Sequence, residues 1–140
     1  MKQHIDTIAV SHEFALHICQ VAIEEGAKAG IPVAVTIADP TMGVVAYVRA
    51  DGTTPHSAET SNRKARTAAS TRRPTGWMAG ELATALPLGT GGDLTNIAGG
   101  VPLQFEGRHL GGLGIAGGPP AKDAEIAREV LVRIGADLPE

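Results

Sequence analysis

Cysteine is nearly absent from this chain: Cys19 is the only one in 140 residues. A disulfide framework and a multi-cysteine zinc site are therefore excluded. Aromatic residues are almost as scarce. Phe14, Tyr47, Trp77 and Phe105 are too few to build base-stacking platforms. Neither charge dominates: 12 Lys and Arg stand against 15 Asp and Glu, a formal charge of −3. Nothing electrostatic favours nucleic acid or an anionic membrane as a partner. No apolar run approaches the ~18 residues of a transmembrane helix. The N-terminal MKQHIDTIAV lacks the apolar stretch and cleavage site of a secretory leader. We expect a cytoplasmic protein with no nucleic-acid or membrane partner.

Small residues are abundant instead, with 18 Gly and 22 Ala in 140 residues. Elements with little side-chain bulk approach closely and build a thin core. A thin core pushes a small domain toward association. The length suits one domain over residues 1–140.

Hydrophobic periodicity orders the chain. Ser11 caps a helix running to about Ala29, with Phe14, Ile18, Val21, Ala22 and Ala29 on its main apolar face. Leu16, Ile23 and Ala27 form a second patch roughly opposite, so this helix is expected to be covered on two sides, the second by another subunit. Pro32–Asp39 and Val44–Arg49 read as a β-hairpin. A helix over Ser57–Thr71 ends at Arg72-Arg73-Pro74, and a short helix is expected over Thr75–Ala83. Thr84–Gly100 reads as a long glycine-rich loop. Val101–Phe105 and His109–Ile115 form a second hairpin around Glu106-Gly107, and a last helix spans Ala121–Ile134. Hairpins in place of crossovers imply an α+β fold, a mainly antiparallel sheet of about four or five strands with helices packed on it.

The middle helix carries the most chemistry. Ser57, Thr60, Lys64, Thr67 and Thr71 share one stripe, beside a small-residue face of Ala58, Ala65, Ala68 and Ala69. Glu59, Arg63, Arg66 and Arg73 lie on another side and read as solvated. Lys64 among hydroxyls suits a carboxylate, phosphate or enolate oxygen; equally, it suits pairing with an Asp to hold the fold together. Arg49, Asp51 and His56 cluster after the second strand, and Asp39 ends the first. A carboxylate near a His and a Lys can move protons. Turn chemistry accounts for Asp39-Pro40 and Asp51-Gly52 just as well.

Gly112–Gly117 matches G-x-G-x-x-G, but a hairpin precedes it and two prolines follow it, so the dinucleotide reading fails. These glycines instead mark a strand approached closely by another backbone or a ligand. The turn Gly117-Gly118-Pro119-Pro120 with Asp123 leads to a helix N-terminus and can edge a pocket. His17 and Cys19 point about 200° apart on one helix and cannot share a metal. His4, His12 and His109 show no ligand spacing. No metal ligand set is indicated.

An ordered set of segments resembles the GlcG/HbpS family of haem-binding or haem-degrading domains. It comprises Ala34–Asp39 with Gly43, Arg49-Ala50-Asp51-Gly52, Arg63–Ala68, Pro74-Thr75, Gly99–Pro102, Gly111–Gly118 and Asp123. The same domain is similar to the C-terminal domain of PduO-type cobalamin adenosyltransferases. The resemblance covers about Phe14–Gly135. It implies a profilin/PAS-like sandwich, dimers that assemble further to oligomers such as octamers, and haem or another tetrapyrrole as ligand. It carries no axial ligand with it. The chain departs from the family pattern at Ala116, Lys122 and Arg66, and the first two border the expected pocket.

Three functions are consistent with this reading. One is a small-ligand-binding oligomer, with haem as the family-implied cofactor. Another is a small catabolic enzyme of isomerase, tautomerase, hydratase or lyase type, acting on a carboxylic acid. The third is a structural or regulatory oligomer. The residues singled out for ligand binding are Lys64, Arg49, Thr60, Thr67, Gly100, Gly117 and Gly118. Those singled out for proton transfer are Lys64, Asp39, Asp51, His56 and Asp123.

Overall fold

A computed structural model describes all 140 residues. Eight elements follow in order: α1 His12–Lys28, β1 Ala34–Ala38, β2 Val44–Arg49, α2 Ser57–Thr71, α3 Leu82–Gly89, β3 Gly100–Phe105, β4 Arg108–Ala116 and α4 Pro120–Ile134. The strands form one antiparallel sheet in the order β2-β1-β4-β3. This is the expected mixed α+β arrangement, with four strands. No helix is long and apolar enough to cross a membrane.

Strand alternation sorts the two faces of the sheet. Val35, Ile37, Val101, Leu103, Leu113 and Ile115 point to one side. There they meet Ala15, Ile18, Val21 and Ala22 of α1 and Ile126, Ala127, Val130 and Leu131 of α4. Each large aliphatic side chain buried here contributes about 1.5–3 kcal/mol. The α1 N-terminus is fixed by Ser11, whose hydroxyl accepts the Phe14 amide at 3.1 Å.

The opposite face holds α2 and almost no bulk. Ala38, Ala65 and Ala69 form a small apolar cluster, and the Thr36 and Ser61 hydroxyls meet at 2.8 Å. A methyl group built on Gly112 would strike the Ala65 carbonyl, and one on Gly114 the Ser61 carbonyl. The helix therefore rests backbone to backbone on β4, as the glycine pattern anticipated.

Three expectations change. Helix α3 lies at Leu82–Gly89, mostly inside the stretch read as a loop, and Thr75–Glu81 is turns and irregular chain. Gly76 and Gly80 take φ values of +102° and +59°, which interrupt a right-handed helix there. Ala29 is exposed, because the helix has already reached its cap. Arg66 is not simply solvated: it bonds Asp93 at 3.0 Å, and its Nε is buried without a partner. In the second α1 patch Leu16 is 60% exposed and Ala27 is exposed, while Ile23 packs partly against the core.

Candidate functional site

The stripe on α2 converges with the β4–α4 turn. Lys64 runs from α2 past the sheet and places its ammonium 2.8 Å from the Ile115 carbonyl and 2.9 Å from Asp123 Oδ2. Asp123 lies in the first turn of α4, where its Oδ1 accepts the Gly118 amide at 2.9 Å. Both side chains are almost fully buried, 1% and 2% exposed. An ammonium has three donors; one remains without a protein partner.

Burial acts on the pair from both sides. It pushes the Lys64 ammonium below its ordinary value, against the hydrogen bond and charge of Asp123. It pushes the Asp123 carboxyl above its ordinary range, against the Lys64 contact and the backbone amides of Gly118 and Gly117. Desolvation thus disfavours both charges while their attraction retains them.

Glycine clears the space around this pair. Gly99 has φ +126°, and a Cβ there would lie 2.7 Å from Lys64 Nζ and 3.0 Å from Asp123 Cβ. A Cβ on Gly118 would lie 3.3 Å from Asp123 Oδ1.

A cleft of about 400 Å³ opens beside the pair. The start of α2 lines it with Thr54, His56, Ser57 and Thr60. The β4–α4 turn contributes Ala116, Gly117, Gly118 and Pro120, and Ile97 adds one wall. Lys64 and Asp123 complete the lining. The N-terminal ends of α2 and α4 thus meet at one cleft, and their dipoles favour negative charge there.

Of the residues proposed from sequence, the structure brings together Lys64, Asp123, His56, Thr60, Gly117 and Gly118. Thr67 lies outside the lining; its hydroxyl donates to the Arg63 carbonyl and accepts the Thr95 amide. Gly100 also lies outside, under the α2 backbone at Lys64, with its amide on the Thr75 hydroxyl. Arg49 and Asp51 are exposed near the end of β2. Asp39 is committed to its own turn, where Oδ1 accepts from the Thr41 amide and hydroxyl and the Gly43 amide. The Thr41 hydroxyl bond is the main reason that its carboxyl sits below the ordinary range. That is the turn chemistry of Asp-Pro rather than a proton shuttle at the cleft.

Pro120 lies in the turn expected to edge a pocket, whereas Thr54, Ser57 and Ile97 line the cleft without having been proposed. Ser57 was legible, being two helical turns before Lys64 on one stripe. Ile97 carried no signal, because an irregular segment brings it there. Elsewhere, burial raises the Cys19 thiol to about 11, which leaves it inert. No three His, Cys, Asp or Glu side chains stand close enough to hold a metal ion.

Comparison with known proteins places this architecture. Residues 10–132 match the family described as haem degrading protein, HbpS-like. No curated protein matches the sequence. Among solved structures, HbpS is 31% identical with a TM-score of 0.84, over 95% of each chain. A double mutant of HbpS from Streptomyces reticuli is 30% identical with a TM-score of 0.84, over 96% of this chain and 93% of that one. A PduOC–haem complex is 25% identical with a TM-score of 0.86, over 95% of this chain and all of the other. Sharing a family match over most of its length and the fold of these relatives, the chain belongs to the HbpS-like family of haem-degrading proteins.

Proposed function

We propose that this protein is a ligand-binding homo-oligomer whose cleft beside the Lys64–Asp123 pair receives a carboxylate-bearing ligand. The observation that carries the reading is the uncommitted donor of a buried ammonium at a cleft where two helix N-termini meet. Thr54, Thr60 and His56 line the same cleft.

A tetrapyrrole is the ligand that the family brings, and its propionates belong to this class of anion. Haem, when bound, would supply an iron that an imidazole can hold; His56, the imidazole of the cleft, would hold it. The lining fits the acidic edge of haem and not its apolar face, since Ile97 and Ala116 are the hydrophobic side chains present. The face requires cover from beyond the cleft. A second protomer supplies it in our reading, and dimers can build toward a larger assembly such as an octamer. In support, α3 buries none of its residues, and Leu16, Leu82 and Leu88 are exposed on one protomer.

Haem titration followed by native mass spectrometry tests this function. We expect a multimer carrying haem with a Soret band that survives gel filtration, and a shifted or lost band in His56→Ala. Haem that separates from the protein on the column, or a band unchanged in both His56→Ala and Thr60→Val, overturns the assignment to this cleft.

A further inference from the structure

The Lys64–Asp123 pair differs from every other ion pair in the molecule. Arg133 with Glu24, Arg63 with Glu59, and Lys122 with Glu125 all lie where water reaches both partners. Arg66–Asp93 keeps its carboxylate well exposed. Only Lys64–Asp123 is buried on both sides, and it alone borders the cleft. A pair used merely to tie α2 to α4 has an easier alternative. Well-packed apolar residues of similar volume do the same without desolvating two charges. The surroundings also point to chemistry. Glycines at 99 and 118 keep side chains away from the pair, and Thr54, Ser57, Thr60 and His56 line the cleft beside it.

We propose that the cleft is a proton-transfer site for a small carboxylic acid bearing an enolisable carbonyl, with Asp123 as base and the Lys64 ammonium holding the enolate oxygen. This rests on the carboxylate-binding reading above and adds a reaction to it. His56, Thr60 and the α2 N-terminus take the substrate carboxylate. Asp123 spends one oxygen direction on Gly118 and one on Lys64, and retains lone pairs for a proton. The C–H bond beside the carbonyl breaks and its electron pair becomes the new C=C bond. The carbonyl π pair moves to oxygen, where the third Lys64 donor stabilises it. The proton resides on the Asp123 carboxylate and returns to the same carbon or to a conjugated one. Nothing is oxidised or reduced. The positive ends of α2 and α4 favour the charge that develops on oxygen. Burial raises the proton affinity of Asp123, which strengthens it as a base near neutrality.

Hydrogen–deuterium exchange provides the test without knowledge of the natural substrate. Pyruvate, 2-oxobutyrate and oxaloacetate are incubated in D2O with the assembled protein, and the protons beside the carbonyl are followed by NMR. Binding is read in parallel by saturation transfer. We expect at least one acid to exchange ten-fold or more faster than in buffer. Asp123→Asn should return the rate to that of buffer while still binding the acid. If Asp123→Asn fails to fold, Asp123→Glu displaces the base by one carbon and should lower exchange while binding persists. His56→Gln, at the exposed rim, should raise the concentration needed for half-maximal exchange. Acids that bind but exchange no faster than in buffer overturn the proton-transfer proposal and leave the binding reading standing. Acids that do not bind overturn the substrate class. Exchange undiminished in both Asp123 variants overturns the role of that residue.

Discussion

The two faces of this sheet solve the same packing problem in opposite ways. Toward α1 and α4, the sheet presents Val35, Ile37, Leu103, Leu113 and Ile115, and stability comes from aliphatic volume. Toward α2, it presents Gly112, Gly114, Thr36 and Ala38, and contact is made by backbone and hydroxyl. The first face tolerates changes of shape within a conserved volume. The second fixes distances, and it positions the one buried ion pair beside a cleft. Bulk on one side releases the other side to hold polar groups at defined separations.

Four experiments test this contrast. The largest effect is expected from Gly114→Ala, whose new methyl meets the Ser61 carbonyl of the α2 backbone. A collision with backbone relaxes poorly, so the loss should equal or exceed the about 2–5 kcal/mol of Leu113→Ala on the aliphatic face. Urea unfolding of the two variants side by side decides it. Lys64→Met should cost about 3–5 kcal/mol by leaving Asp123 buried and unpaired. Adding Asp123→Leu should recover most of that loss. A single variant as stable as wild type would mean that the pair is solvated and the polar face ordinary.

The third effect depends on pH. His109 donates its Nε2–H to the Ala69 carbonyl, 2.7 Å away, and its Nδ1 is buried without a partner. Burial chiefly holds its pKa below 6.5 in the folded protein. The unfolded chain takes up the proton first, so the His109 contribution is intact above about 6.5 and is lost as pH falls toward the lowered value. Melting temperatures from pH 7.5 to 5.5 should therefore drop more steeply for wild type than for His109→Asn. The smallest effect is Ser11→Ala, which uncaps α1 on the aliphatic side and should cost about 1 kcal/mol in chemical denaturation.

Much of this architecture is written locally. The bounds of α2 follow from the hydroxyl stripe and the Arg-Arg-Pro stop. The turn of the second hairpin follows from Glu106-Gly107, which take φ values of +52° and +76°. Helix α3 was misplaced because it buries nothing, so no periodic face marked it against the glycines around it. The site was legible as a set of residue types and not as a geometry. Lys64 and Asp123 were both named, yet their pairing spans 59 positions and forms only when α2 and α4 meet at the end of β4. Asp39 and Thr67 had suitable chemistry, but local turn and helix bonds had already claimed them.

The glycine seat beneath α2 also constrains how the protein can drift. A lost methyl on the aliphatic side can be answered by a gained one nearby, because several chains share that volume. Where backbone lies on backbone there is no neighbour to trim. Position 112 or 114 cannot grow unless the whole helix lifts, and lifting it would pull Lys64 away from Asp123. The sequence thus has room to wander on one side of the sheet and scarcely any on the other.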